Sequence, residues 1–320
     1  MRLGKLPYSI LKRSVWKQTG RAKAPILQGA GAGIDSAALF VSGDVLLTET
    51  TAVLQDEWAL PAMMARLTGD LAAEGGHPVG VEAALTLPES CEEPELHRWM
   101  EQLTKLAEEQ EIQVIGGHTT TLAEVVAPIA TLTMVGGRAA WTPGRIKPGD
   151  QLIVSGWIGM EGTALLTHRN RELLGQHYTD AFLQRAEDMI TRLSPATEAA
   201  VAGQHGVIAM HNGGEGGVFG ALWEFAEYAG LGFEADLKQI PIRQETVEIC
   251  EFLEKNPYEL ASGGLMLYAA REGEPLADIL TKAGYPARRI GTFTGEKARI
   301  LHNEDEIRYL DRPGQDAIWK

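Results

Sequence analysis

The chain has 320 residues, 44% apolar and 22% charged, with a formal net charge of -14; this length accommodates two domains with a core each, and the acidic balance excludes nucleic acid as the main partner, because phosphate backbones are bound through Lys and Arg. Cys91 and Cys250 are too few and too far apart for a disulfide framework or a paired-cysteine metal site, which fits a reducing cytoplasm. The longest apolar stretch, the interrupted "VVAPIATLTMVGG", falls short of the ~20 residues that cross a bilayer, so no membrane role is expected and a small-molecule substrate is favoured.

In chain order, a basic arm comes first: Arg2, Lys5, Lys12, Arg13, Lys17, Arg21 and Lys23 all precede the first acid, Asp35. Within "KLPYSILKRSVWKQTG", Pro7 suits a first helical position, Ile10, Leu11 and Val15 fall in helical phase, and Gly20 is a stop. The arm is expected to be a docked amphipathic helix rather than a targeting segment, since no apolar stretch with a small-residue cleavage site follows. Residues 44–53 read as a strand, "ALPAMMARLTGDLAAEGG" as a helix ended by glycines, and "VGVEAALTLP" as a second strand. "EPELHRWMEQLTKLAEEQEI" carries Leu96, Trp99, Leu103 and Leu106 on one helical face and feeds a short strand, "QVIGG"; "EVVAPIATLTMVGG" is then a long buried strand. The turn-rich stretch 138–159 marks a domain boundary near residue 145, giving domains 1–145 and 146–320. Beyond it, helices alternate with strands at "VIAMHN", "GFEADLKQI", "LMLYAA", "RRIGTFTG" and "ARILHNEDEIRYL", which indicates α/β layering.

Acids and glycines at the ends of these elements are the candidate chemistry. In "GAGAGIDSAA", Gly29, Gly31 and Gly33 permit a tight backbone and Asp35 is a candidate metal ligand; a hinge is the bland alternative. Glu49 sits in a strand, where a carboxylate ordinarily points to solvent, and Asp70 sits in an otherwise apolar helix, as a ligand or on its wet face. Two glycine turns follow, "VIGGHTTT" (114–121) and "MHNGGEGGVFGALWE" (210–224), the second leading directly into a helix whose free N–H groups and dipole would favour an anion. Neither fits the P-loop or the dinucleotide fingerprint. His118 and His211 are candidate proton donors, or histidines bonded to loop backbone.

The order and spacing of these stations resemble the ATP-binding aminoimidazole ribonucleotide synthetase (PurM-like) family, whose branches include thiamine monophosphate kinase, selenide water dikinase and a hydrogenase maturation branch. "GKLP", "GMEGTALL" (159–166), "MHNGGEGGVFGALWEFAE" (210–227) and "NPYELASGGLMLYAA" (256–270) are most similar to the hydrogenase branch, and the likeness runs from about residue 3 to about residue 300. The resemblance implies two α/β domains, the first pairing into a dimeric β-barrel and the second a mixed sheet flanked by helices. It also implies ATP held with Mg²⁺, with Asp35, Glu49 and Asp70 as metal ligands. Gly116, Gly117, His118 and Thr119 would line the phosphates, joined by Asn212, Gly213, Gly214, Glu215, Gly216 and Gly217, with His118 and Glu215 the candidate catalytic groups. A homodimer and a protein partner in a maturation pathway are implied as well.

Departures from the family pattern bear on activity. Ile34 stands where relatives carry an acid, Gly69 where they carry Asn, and Asn212 and Gly214 where they carry Asp and Thr. No cysteine follows Cys250, so carbamoyl dehydration on the chain's own tail is not expected. Three readings follow from the resemblance: an ATP-dependent enzyme that phosphorylates an oxygen of a small substrate or assists maturation, a catalytically degenerate nucleotide- or partner-binding homologue, and a small-molecule kinase.

Overall fold

The computed structural model describes residues 4–5, 8–20, 25–29, 37–40, 43–138, 141–193 and 195–320. Asp35, with Gly31, Gly33 and Ile34, lies outside the described residues. The chain divides into two compact units, residues 1–71 with 76–139, and residues 72–75 with 140–320.

In the first unit, β1 (Gly4–Lys5) leads into the basic arm, which forms α1 (Tyr8–Ile10), a π turn (Leu11–Val15) and a 3-10 turn (Trp16–Gln18), with Gly20 at φ +78 as its stop. Leu11 and Ser14 are buried, the Ser14 hydroxyl donates to Glu93 Oε1 at 2.7 Å, and Arg13 pairs with the same carboxylate. The arm is therefore docked, as its periodicity suggests. There follow β2 (Ile26–Gln28), β3 (Ala38–Leu39), β4 (Val45–Val53), α2 (Ala59–Ala73), β5 (Gly76–Leu87), α3 (Glu93–Glu109), β6 (Gln113–Thr121) and β7 (Ile129–Arg138). A capping box between Glu92 and Glu95 opens α3. The sheet runs β1-β6-β5-β7-β4, with β5 and β6 parallel and the other pairs antiparallel. Its core gathers Met63, Leu67 and Leu71 of α2, Leu96, Met100 and Leu103 of α3, and Val81, Leu85, Leu132 and Met134 of the strands. One sheet face packs on this core, and the other is open along β4, where alternate residues Val45, Leu47, Glu49, Thr51 and Val53 are exposed.

The segment 114–121, read above as a short strand ending in a glycine turn, is instead interior strand. A Cβ on Gly117 would lie 1.9 Å from the Ala83 carbonyl oxygen, and its φ is +137. Glycine at this position admits close approach of β5 at a bulge, where the register shifts between Val81 and Glu82, without ending the strand.

The second unit contains β8 (Gln151–Ser155), α4 (Met160–Arg169), α5 (Arg171–Leu174), α6 (Asp180–Glu187), α7 (Ala196–Gly203), β9 (Val207–Asn212), α8 (Gly217–Ala229), β10 (Gly232–Asp236), α9 (Gln244–Phe252), β11 (Met266–Ala270), α10 (Gly273–Lys282), β12 (Ala287–Thr294), β13 (Arg299–Asn303) and β14 (Glu306–Tyr309). Its mixed sheet is ordered β14-β13-β10-β12-β8-β11-β9, with only β10 and β13 parallel. Both faces carry apolar layers, which is why β11 is buried throughout and β8 from Leu152 to Ser155, rather than alternating. Leu152, Val154, Phe233 and Phe293 meet Leu222 and Phe225 of α8 on one face; Ile153 and Tyr268 meet Leu276 and Leu280 of α10 on the other. The final predicted strand folds as the β13–β14 hairpin, turning at Glu304 with φ +56. The architecture is mixed α/β throughout, as the sequence reading expects.

Candidate functional site

In the first unit the decisive geometry is strand alternation in β4. The Thr48 hydroxyl donates to Asp70 Oδ2 at 2.7 Å, so Thr48 faces α2 and Asp70 turns towards the sheet. Glu49, the next residue, faces the other way, where Oε2 accepts from the Thr133 hydroxyl at 2.9 Å across the β4–β7 register. The two carboxylates proposed to share a metal thus lie on opposite faces of the sheet, and no group of three His, Cys, Asp or Glu suited to a metal is found among the described residues. The same alternation divides "GGHT": His118 is exposed on the open face beside Ala84, and Thr119 is buried on the helix side. Gly116 lies across from Glu82, whose Oε1 would be 3.0 Å from an added Cβ.

In the second unit, the turn between β9 and α8 meets the loop 257–265. Each glycine there has a local steric reason except one. A Cβ on Gly213 would lie 2.7 Å from the Ser262 carbonyl oxygen, and one on Gly217 would lie 2.5 Å from that of Tyr258. Gly216 and Gly217 also hold φ of +80 and +64, the left-handed region that side chains avoid. Gly214 faces open space. Asn212 is half-buried at the end of β9, Glu215 is exposed, and His211 is occupied structurally, with Nε2 3.3 Å from Glu224 Oε2 and its ring stacked on Phe225.

The α8 end already has an anion beside it. Asp316, 5% exposed, accepts N–H bonds from Gly216 at 2.7 Å, Ala261 at 3.3 Å and Ile318 at 2.9 Å. Burial raises its carboxyl above the ordinary Asp range, the three N–H bonds oppose that, and neighbouring Glu215 adds to it. The sequence reading missed Asp316, although an Asp before a short apolar run is a helix-cap signal: it caps the 3-10 turn Ala317–Trp319. It also missed a buried polar trio. The Ser155 hydroxyl donates to Glu198 Oε1 at 2.9 Å and lies 3.1 Å from the Tyr268 hydroxyl. Burial drives the Glu198 carboxyl up to about 8, although hydrogen bonding to it from Ser155 and from Tyr268 pulls it down.

Profiles of the AIR synthase related protein family match both units, the N-terminal domain over residues 29–137 and the C-terminal domain over residues 147–302. The chain belongs to this family. Among its relatives, the carbamoyl dehydratase HypE of Rhodobacter capsulatus is 28% identical over 223 residues, which are 68% of this chain and 63% of that protein. The chain thus spans a little under two thirds of that relative. In three dimensions, Escherichia coli HypE, a hydrogenase maturation protein, superposes with a TM-score of 0.81 at 18% identity, covering 97% of this chain and 98% of the other. A HypE structure in complex with ATP superposes with a TM-score of 0.76 at 17% identity, covering 97% and 96%. At such identity these superpositions establish the shared fold.

Proposed function

We propose that this AIR synthase related protein binds ATP with Mg²⁺ and uses it to phosphorylate an oxygen of a small substrate. The observation carrying this reading is the Thr48–Asp70 pair, a carboxylate directed out of an apolar helix and oriented by a hydroxyl. Hard oxygen donors suit Mg²⁺, which binds through one or two carboxylates together with substrate phosphates and keeps several waters. Among the described residues no three such groups gather, and Asp70 is the carboxylate that a hydroxyl orients towards the sheet. Asp70 with Asp35 would hold the ion; residues 116–119 of the first unit and 212–217 of the second are each proposed to contact nucleotide, with exposed Glu215 the side chain proposed for proton transfer, whereas His118 stands on the sheet face opposite Asp70 and is not placed to serve that ion. The likeness to an ATP-bound HypE fold supports the choice of nucleotide. A functional boundary near residue 145, a cytoplasmic location, a partner protein in a maturation pathway and a homodimer formed through the open face of β4 belong to the same reading.

A second reading, nucleotide binding without turnover, is favoured by the separation of Glu49 from Asp70 on opposite sheet faces. Purified protein incubated with Mg²⁺ and ATP decides between them. The first reading expects Mg²⁺-dependent turnover, stimulated by candidate oxygen acceptors and lost in Asp70→Ala. Binding with no turnover under any condition supports the second, and no binding at all overturns both.

A further inference from the structure

Residues 311–320 lie as a strap against the start of α8. Arg312 sits over the Trp223 ring at 5.8 Å, Ala317 is 1% exposed with Ile318 beside it in an apolar cluster that includes Leu166 and Leu260, and Arg169 sits over Trp319 at 5.5 Å. Lys320 is held at both ends, its side chain paired with Glu259 and its backbone oxygen bonded by Lys255 Nζ at 2.6 Å. Between these anchors, the Asp316 carboxylate takes N–H bonds from two distant segments, Gly216 at the α8 turn and Ala261 in the facing loop. A cavity of about 200 Å³ opens beside it, lined by Gly216, Phe219 and Glu259 and by Arg308 and Arg312.

We propose that this strap is a built-in competitor, its Asp316 carboxylate filling the anion position at the start of α8, so that a phosphate-bearing ligand reaches the turn only when the strap withdraws. The inference rests on the reading of residues 212–217 as facing nucleotide. A Gly216 N–H pointed at Asp316 is not offered to a phosphate at the same time. The buried carboxylate with exposed Glu215 beside it also repels a second anion in this poorly screened setting. Because the strap is tethered, it competes at high effective concentration, and its grip is graded by its anchors. The cavity beside the strap, lined by Gly216, Phe219 and Glu259 together with the strap's own residues 311–315, leaves the segment room to shift, and Arg308, outside the strap, brings a guanidinium to it while pairing with Glu306.

The test uses the full chain with inorganic phosphate and with Mg²⁺-ATP as probes, comparing wild type, Asp316→Asn and Lys255→Ala by calorimetry and amide exchange. Asp316→Asn is expected to bind both probes about tenfold more tightly, and Lys255→Ala, which loosens the far anchor without touching the turn, is expected to gain a smaller factor. In wild type, saturating phosphate is expected to speed exchange at Ala261 and Ile318, whose N–H groups lose Asp316 without gaining the phosphate. Unchanged affinities in both variants overturn the proposal, as does ATP bound by wild type with both amides still protected; the latter leaves ATP binding intact. Faster exchange with phosphate but no ATP turnover leaves the strap standing and removes the enzymatic reading. Thermal unfolding of each variant identifies any loss of fold, in which case Lys255→Ala decides.

Discussion

Thr48 holds Asp70 through a 2.7 Å hydrogen bond on one face of the first sheet, while adjacent Glu49 is held by Thr133 on the other. A strand cannot bring consecutive side chains to one face, so a metal bound by this chain's Asp70 is not completed by the same chain's Glu49. Asp70→Asn is expected to lower kcat/KM for Mg²⁺-ATP by about a hundredfold or more. Thr48→Val is expected to lower it by about tenfold, the size of one hydrogen bond to a charged group. Glu49→Gln should stay within about threefold, provided self-association is unchanged. Steady-state kinetics across Mg²⁺ concentrations measures all three; an equal loss in Glu49→Gln and Asp70→Asn would count against the two-face argument.

The glycines of the α8 turn make a contrast testable by denaturant unfolding. Gly217 combines φ +64 with a Cβ position 2.5 Å from the Tyr258 carbonyl oxygen, whereas Gly214 has open space around it. Gly217→Ala is expected to destabilise by about 2–4 kcal/mol, through left-handed backbone strain and a backbone clash that no rotamer relieves. Gly214→Ala is expected to stay within about 0.5 kcal/mol. Equal midpoints for the two variants would mean that the turn yields at Gly217.

Much of this was legible and some was not, for reasons that differ by residue. The period-two exposure of β4 and the apolar stripe of α3 are local patterns, so both elements could be read directly from the chain. "VIGGHTTT" misleads because glycine marks turns and bulges alike, and only the partner strand at Ala83 shows which applies. The pairing of Glu49 with Asp70 was an inference from family positions; alternation within "TET" already opposed joining Asp70 to Glu49 once Thr48 was known to face the helix. Asp316 escaped notice because its partners Gly216 and Ala261 are remote in sequence, and nothing local in "GQDAIW" points to them. The turn before α8 reads from sequence as a site for a phosphate, and in the structure its Gly216 N–H is directed at the chain's own Asp316.

Glu198 sets a pH dependence with a definite sign. Its carboxyl is buried with Ser155 and Tyr268 and titrates at about 8 in the folded chain against an ordinary value of 4.5. The folded state therefore keeps a proton that the unfolded state releases. The stability tied to this group is fully present below 4.5 and is lost as pH rises through the folded value near 8. The slope across that window is at most about 1.4 kcal/mol per pH unit. Glu198→Gln, which keeps the shape and the acceptor for Ser155 without ionising, is expected to flatten the stability profile between about pH 5 and 8. It should exceed wild type in stability at about pH 9. Unfolding midpoints for both proteins across this range measure the effect, and parallel profiles would show that Glu198 ionises normally.

The open face of the first sheet carries the prediction about assembly. Val45, Leu47 and Val53 are 53%, 68% and 42% exposed on alternate positions of β4 and so form one apolar row interrupted by Glu49 and Thr51. An exposed apolar row on a regular sheet is costly to leave in water and is flat enough to pack against a copy of itself, residue against equivalent residue about a twofold axis. Leu47→Glu replaces the most exposed apolar member of that row with a second charge next to Glu49, leaving only Val45 and Val53 apolar, and its twofold mate would add like charges to the same contact. Because Leu47 is already largely exposed, the substitution is expected to alter the stability of the isolated chain by no more than about 0.5 kcal/mol while opposing association strongly. Sedimentation at micromolar concentration is expected to give wild type twice the 34.7 kDa chain mass and Leu47→Glu a single chain mass. Wild type sedimenting as a single chain would remove the homodimer, and a dimeric Leu47→Glu variant would place its contact on some other face.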